Sequence, residues 1–364
     1  MNFRLIYRNI FSFFINLFLS VEEKSDNNLG LPRKFLIIRQ HNQFGDMLAT
    51  VPLFRAIKEK YPECEITVIA SQTNYRALEK NPFVDRLFVF EKNKIFNSEY
   101  RTSLRKILKD KYDVSIVPVT VAISNTSCIF AALSDAKIKI GPKSLSGKNN
   151  SLKKLFNYRI NLDWRKYPDA HVSDFIQDIV RQFGISTRDF SSIVIFNNED
   201  RNYAKDYIKS LGKQDNELLI GLHIGAAKPQ NRWSLDKYIK LIGMLNEKYN
   251  AKFYLTGSDA DKEQLDYMKQ NCSTQVGFYI TGISFLAAII EKSSLFITND
   301  TGVMHVAGTL RTPQISLFGQ TNPFNWAPVG ENKYFIRKSE LIDDISVDDV
   351  FKLAQFILDK SLTR

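Results

Sequence analysis

The chain has 364 residues, enough for two domains, and its 44% apolar and 24% charged content supplies buried cores and excludes a disordered protein. Lysine and arginine exceed aspartate and glutamate by 50 − 39 = 11, an excess that suits an anionic partner such as phosphate-rich lipid, a nucleotide or nucleic acid. Cys64, Cys128 and Cys272 are scattered and form no CxxC pair, which argues against a zinc site or a disulfide framework and fits a reducing cytoplasm.

The N-terminus carries Arg4 and Arg8, then an uncharged run, IFSFFINLFLSV, over residues 10–21. Twelve residues cannot cross a bilayer, which takes about 20. No small-residue cleavage site follows, so a signal peptide is disfavoured. The run reads as a helix lying in a membrane interface with its arginines toward anionic headgroups; the alternative is a helix packed on the protein's own surface. Residues 25–30 read as a polar linker.

From Arg33 onward strands and helices alternate. Strands are expected over 34–40, 65–71, 86–90, 113–119 and 136–141, with helices over 46–61, 75–80, 100–109 and 125–133. The alternation predicts a parallel sheet covered on both faces. A basic stretch over 142–154 approximates a Walker A loop. It has five residues between Gly141 and Gly147 where four are needed, and Asn149 replaces the serine or threonine that would hold magnesium; it reads as a mobile basic loop. After a helix over 171–183 and Gly184 the pattern restarts, with strands over 217–225, 252–257, 278–282, 295–299 and 313–319 and a last helix over 347–362 that could pack back on the first domain. Two doubly wound units imply a cleft, with ligands at the carboxyl ends of the strands.

Two turns carry the chemistry. The stretch NDTGVMH places Asp300 as the cap of a helix starting at Thr301, so that the amides of Thr301 and Gly302 point at an anion, with His305 one turn on. An ordinary capped helix is the plainer reading. The turn after the first strand, QHNQFGD, has only Gly45 where a dinucleotide fingerprint has three glycines, which argues against a nicotinamide or flavin enzyme. It delivers Asp46 to the start of a helix, either as a cap or as a functional carboxylate.

In these residues the chain resembles the bacterial heptosyltransferases of glycosyltransferase family nine. LIIRQHNQFGDMLATVP supplies the family's strand, basic Arg39, Gly45-Asp46 and Pro52. IGLHIGAAKPQNRWSLDKY, LTGSDADKE and NDTGVMHVAG, followed by GQTNP, are similar to its later motifs in the same order. The resemblance implies a GT-B fold of two Rossmann-like domains: a membrane-interface segment and linker (1–30), an acceptor-side domain (31–184), a nucleotide-sugar domain (185–335) and a C-terminal helix (336–364).

It also implies an inverting transfer of heptose from ADP-heptose to a lipopolysaccharide-core or related glycolipid acceptor, with no metal and no cofactor, at the cytoplasmic face of the inner membrane. Asp46 is the candidate base. Thr301, Gly302 and His305 would meet the diphosphate, Asp300 would fix their loop, and Asp259 would approach the ribose. The family's lysine two residues before Trp233 is Asn231 here, which leaves Arg232 and Lys228 to supply its charge. Arg39 would help neutralise the developing charge, and Arg39, His41 and Gly45 are acceptor-side candidates. His223 reads as structural and His171 carries no assignment. The alternatives are another GT-B nucleotide-sugar enzyme, such as a hexosyltransferase or an epimerase, or a non-catalytic binder; no motif supports nucleic acid.

Overall fold

A computed structural model describes residues 3–41, 43–279 and 282–362, with side chains from residue 11 onward, so those of Arg4 and Arg8 lie outside the described set. The chain forms two compact units, Met1–Phe190 and Ser191–Arg364, each built on its own sheet.

In the first unit, β1 (Lys34–Ile38), β2 (Glu65–Ser71), β3 (Arg86–Phe90), β4 (Val114–Ile116) and β5 (Ile138–Leu145) run parallel in the order β3-β2-β1-β4-β5. Phe35 to Ile38 are fully buried, the unbroken apolar run of a strand covered on both faces. β6 (Lys148–Asn149) folds back on β5, and β7 (Tyr158–Leu162) adds in parallel to β5. The direction of winding reverses between β1 and β4, so the loops after these two strands meet at a topological switch point.

Where sequence reading expects one helix over 46–61 there are two, α2 (Phe44–Leu48) and α3 (Val51–Lys60). Pro52 explains the break: it has no N–H to give the Leu48 carbonyl and its ring crowds that carbonyl. The basic stretch 142–154 is ordered, not a mobile loop. Leu145 pairs with Lys148 across Ser146 and Gly147, both with positive φ, as a two-residue hairpin turn requires. Buried Asn150 ties the hairpin down, its Nδ2 donating to the Pro142 carbonyl at 2.8 Å. The expected helix over 171–183 is two short turns, Val172–Phe175 and Asp178–Arg181.

The polar stretch before β1 is held rather than loose. Lys24 N–H donates to the Asn157 carbonyl at 2.8 Å, Asn157 Nδ2 to the Glu22 carbonyl at 3.0 Å, and the Tyr158 hydroxyl to Asp26.

In the second unit, β8 (Leu219–His223), β9 (Lys252–Thr256), β10 (Val276–Tyr279), β11 (Leu295–Asn299), β12 (Gln314–Phe318) and β13 (Lys333–Arg337) are all parallel, in the order β10-β9-β8-β11-β12-β13. The winding reverses between β8 and β11. β10 starts before the expected 278–282, whose Ile280 and Thr281 lie outside the described residues. One face is covered by the helices Leu235–Tyr249 and Val347–Leu362, with Leu241, Leu245, Val350, Ala354 and Leu358 buried together. The last helix packs within the second unit, because its apolar stripe completes that unit's core.

Candidate active-site residues at two switch points

At the first unit's switch point the turn after β1 carries Arg39 and Asp46, and the segment after β4 carries Thr120. Arg39 is 2% exposed. Its Nε donates to Thr50 Oγ1 (3.2 Å), one terminal nitrogen to the Pro118 carbonyl (3.1 Å) and the other to Thr120 Oγ1 (2.9 Å). The last lies 3.9 Å from Asp46 Oδ1. The Thr120 hydroxyl donates to Asp46 Oδ1 (3.2 Å) and the Gln43 N–H to Asp46 Oδ2 (3.2 Å). Thr50 Oγ1 closes the ring by donating to the Asp46 carbonyl (2.7 Å). Burial pulls the Arg39 guanidinium down to about 10, against the pull of Asp46, so it stays charged at neutral pH.

The guanidinium thus turns its Nε and both terminal nitrogens toward the network that orients Asp46. Gly45 is buried in α2. Packing around the His41 imidazole and the charge of Arg39 lower its pKa, against Asp46. Thr120 and Thr50 escaped sequence reading; only their position after β4 and one turn beyond Asp46 hints at them.

At the second unit's switch point the loops after β8 and β11 are stitched together by Asn299. Its Oδ1 accepts from the Trp233 N–H (3.2 Å) and the Tyr238 hydroxyl (3.0 Å), and its Nδ2 donates to the Ile224 carbonyl (3.0 Å). Asp300 accepts from Asn231 Nδ2 at 2.9 Å. Burial raises the Asp300 pKa, opposed by a hydrogen bond from Thr321 and by the charge of Lys228. The N-cap of the helix Gly302–Gly308 is Thr301, in extended backbone, and not Asp300. Asp300 is one residue too early to cap, and its carboxylate instead holds the Asn231 and Thr321 loops. His305 is half-buried, its ring 6.3 Å from that of Trp326.

Arg232 is tied inward: Nε donates to the Ala226 carbonyl (2.9 Å) and a terminal nitrogen to Asp261 Oδ1 (3.4 Å). Asp261 Oδ2 accepts from the Ser258 N–H (2.9 Å) and hydroxyl (2.6 Å). A Cβ on Gly225 would sit 2.4 Å from Asp261 Oδ2, so glycine is required where these loops touch. Asp261, unassigned from sequence, is therefore the built-in acid of this turn, while Asp259 is exposed. Lys228 is exposed beside Asp300. His223 is buried with Nδ1 2.8 Å from Thr256 Oγ1, and burial takes its pKa down to about 4, against Asp261. Among the described residues no three His, Cys, Asp or Glu side chains cluster as a metal site.

Two Rossmann-like units with polar clusters at both switch points define a GT-B glycosyltransferase fold, and solved structures share it. A glycosyl transferase family 9 protein from Veillonella parvula superposes with a TM-score of 0.78 (22% identity, 92% of this chain and 100% of that one). ADP-heptose lps heptosyltransferase II of E. coli superposes with 0.73 (21% identity, 90% and 99%). Lipopolysaccharide heptosyltransferase 3 of Escherichia coli K12 is 24% identical over 307 residues, 79% of this chain and 83% of the relative. Residues 101–350 match the model of glycosyltransferase family 9 (heptosyltransferase), and the chain belongs to that family. It is an enzyme, a glycosyltransferase.

Proposed function

We propose that the protein transfers a heptose from ADP-heptose to a lipopolysaccharide-core or related glycolipid acceptor, with inversion and without a metal, at the cytoplasmic face of the inner membrane. The observation that carries the reading is Asp46. It is a 9% exposed carboxylate at a switch point, with one oxygen oriented by the Gln43 N–H and the other by Thr120. A folding role alone needs a cap bond; it does not need a buried arginine and the Thr120 hydroxyl arranged about the same carboxylate. The names of the relatives, lipopolysaccharide heptosyltransferases, support the choice of donor and acceptor.

In this scheme the acceptor oxygen bonds to the anomeric carbon as the bond from that carbon to the diphosphate breaks. Asp46 takes the acceptor proton and ADP departs with the bonding electrons. Arg39 acts through Asp46, keeping the carboxylate placed, and is a positioning residue. The leaving diphosphate meets the amides of Thr301 and Gly302, His305 and Lys228. Lys228 suits this role better than Arg232, whose donors are held by Ala226 and Asp261. Asn231, where the family has lysine, holds Asp300 instead.

The test is nucleotide release. With lipopolysaccharide-core acceptor and a chelator present, the protein is expected to release ADP from ADP-heptose and to leave UDP- and GDP-sugars intact. Turnover only with added metal, or only from another donor, would overturn the corresponding part of the scheme.

A further inference from the structure

The first helix, α1 (Phe3–Leu19), packs with its polar side inward. Ser12 is 4% exposed and its hydroxyl lies 3.1 Å from Ser151 Oγ. Asn16, one turn on, donates from Nδ2 to the Ser151 carbonyl at 2.8 Å. The large apolar side chains turn outward: Phe11, Phe13, Phe14, Leu17 and Phe18 are between 48% and 76% exposed. A surface helix of a globular protein has the opposite arrangement, burying its apolar stripe. The helix does pack on the protein's own surface, but by Ser12 and Asn16, which leaves its aromatic side outward.

The element under α1 is basic. Residues 141–159 contain Lys143, Lys148, Lys153, Lys154 and Arg159 and no acidic residue. The chain leaving α1 is fastened to it, Val21 N–H donating to the Lys154 carbonyl at 3.0 Å, and Lys148 and Lys154 are exposed. Of the nearby acids, Glu23 is paired with Arg159 at 2.6 Å and Asp26 accepts from Tyr158, while Glu22 is exposed. Among the described residues no helix is long and apolar enough to cross a membrane.

We infer that α1 and the adjoining β5–β6 hairpin form one docking surface for an anionic phospholipid bilayer, with the aromatic rings seated at the boundary between headgroups and acyl chains and the lysines against lipid phosphates. Exposed aromatic rings on α1 beside the exposed lysines of the neighbouring segment combine the two attractions, apolar and electrostatic, that hold a helix in a membrane interface. The charge selects the occupant: a second copy of this chain would bring two acid-free basic hairpins together, whereas an anionic leaflet complements them. The inference rests on the proposed glycolipid acceptor only for why the enzyme should sit on a membrane; the surface stands on the geometry of α1.

The experiment uses the full chain and two variants, Phe14→Glu with Phe18→Glu, and Lys148→Gln with Lys154→Gln. All four side chains are outside the catalytic and donor clusters, and exposed, so the variants are expected to melt with the parent. Sedimentation is measured with vesicles of phosphatidylcholine alone and of phosphatidylcholine mixed with phosphatidylglycerol. The parent is expected to bind the anionic vesicles in a salt-sensitive way, the phenylalanine variant to lose binding, and the lysine variant to bind roughly tenfold or more weakly. Equal binding of the parent to neutral vesicles, or no binding, overturns the inference. So does a parent dimer that the phenylalanine variant dissociates without vesicle binding, which would make the face a contact between copies. ADP release with a lipid-free core acceptor is followed in parallel. Its absence in all three proteins, with vesicle binding intact, would count against heptose transfer and support docking on its own.

Discussion

Replacing Thr120 with valine tests whether the network about Asp46 is a working part. Valine keeps the shape of threonine and removes the hydroxyl that accepts from Arg39 at 2.9 Å and donates to Asp46 at 3.2 Å. A hydrogen bond to a charged group contributes about 1.5–3 kcal/mol. Arg39 keeps Thr50 and Pro118, and Asp46 keeps Gln43. The low end of the sum therefore applies, about 3 kcal/mol. For a unit of this size about 3 kcal/mol lowers the melting temperature by roughly 6–12 °C. Below that temperature kcat is expected to fall about tenfold or more, with the KM for ADP-heptose unchanged, because the donor is held by other residues. Thr120→Ser, which restores the hydroxyl, is expected to recover most of both losses. Calorimetric melting and ADP release give the two readouts. A valine variant that melts with the parent, or a serine variant as slow as valine, would refute the positioning role.

His223 makes acid stability diagnostic. Burial pulls its imidazole from the ordinary 6.5 down to about 4 in the folded chain. Between those values the unfolded chain takes up a proton that the folded chain refuses, so this contribution to stability is complete above 6.5 and is lost as pH falls toward 4. The loss is about 3 kcal/mol at its limit, and His223→Gln is expected to flatten the acid limb of urea-unfolding stability in that window. Asp300, whose pKa is raised, works in the opposite sense, so the slope is compared between variant and parent. Lys228→Ala should weaken ADP-heptose binding about 10- to 100-fold by calorimetry, as loss of a charge-assisted contact implies. Arg232→Ala should instead lower the melting temperature, since it strips Asp261 of its cation.

The residue limits of β2, β3 and β11 agree with the apolar runs that predict them; β2 and β11 are buried along most of their length, while β3 is half-buried at the sheet edge. β7 and β13 were invisible because Arg159, Asn161, Lys333 and Arg337 interrupt their patterns, and β13 lies at a sheet edge where polar side chains reach water. Asp46 and the Asp300 loop were legible because each sits within a few residues of its motif. Thr120 was not, because 74 residues separate it from Asp46 and only the switch point brings them together. Choosing Asp261 over Asp259 depends on which carboxylate folds back on Ser258, a matter of two residues in one short turn. For α1, periodicity marks an apolar face and leaves open which face the protein takes; the bonds of Ser12 and Asn16 decide it.

The central claim is that Asp46 is the base, and Asp46→Asn tests it most directly. Asparagine keeps the size of the side chain and an acceptor for Thr120, but deprives Arg39 of its counter-charge, so turnover is measured below the variant's own melting temperature. ADP-heptose affinity, measured by calorimetry, reports that the donor residues are intact. The account predicts near-parental affinity and ADP release at least ~10²-fold slower than the parent. Near-parental release by the folded variant would contradict it and reduce Asp46 to the start of a helix.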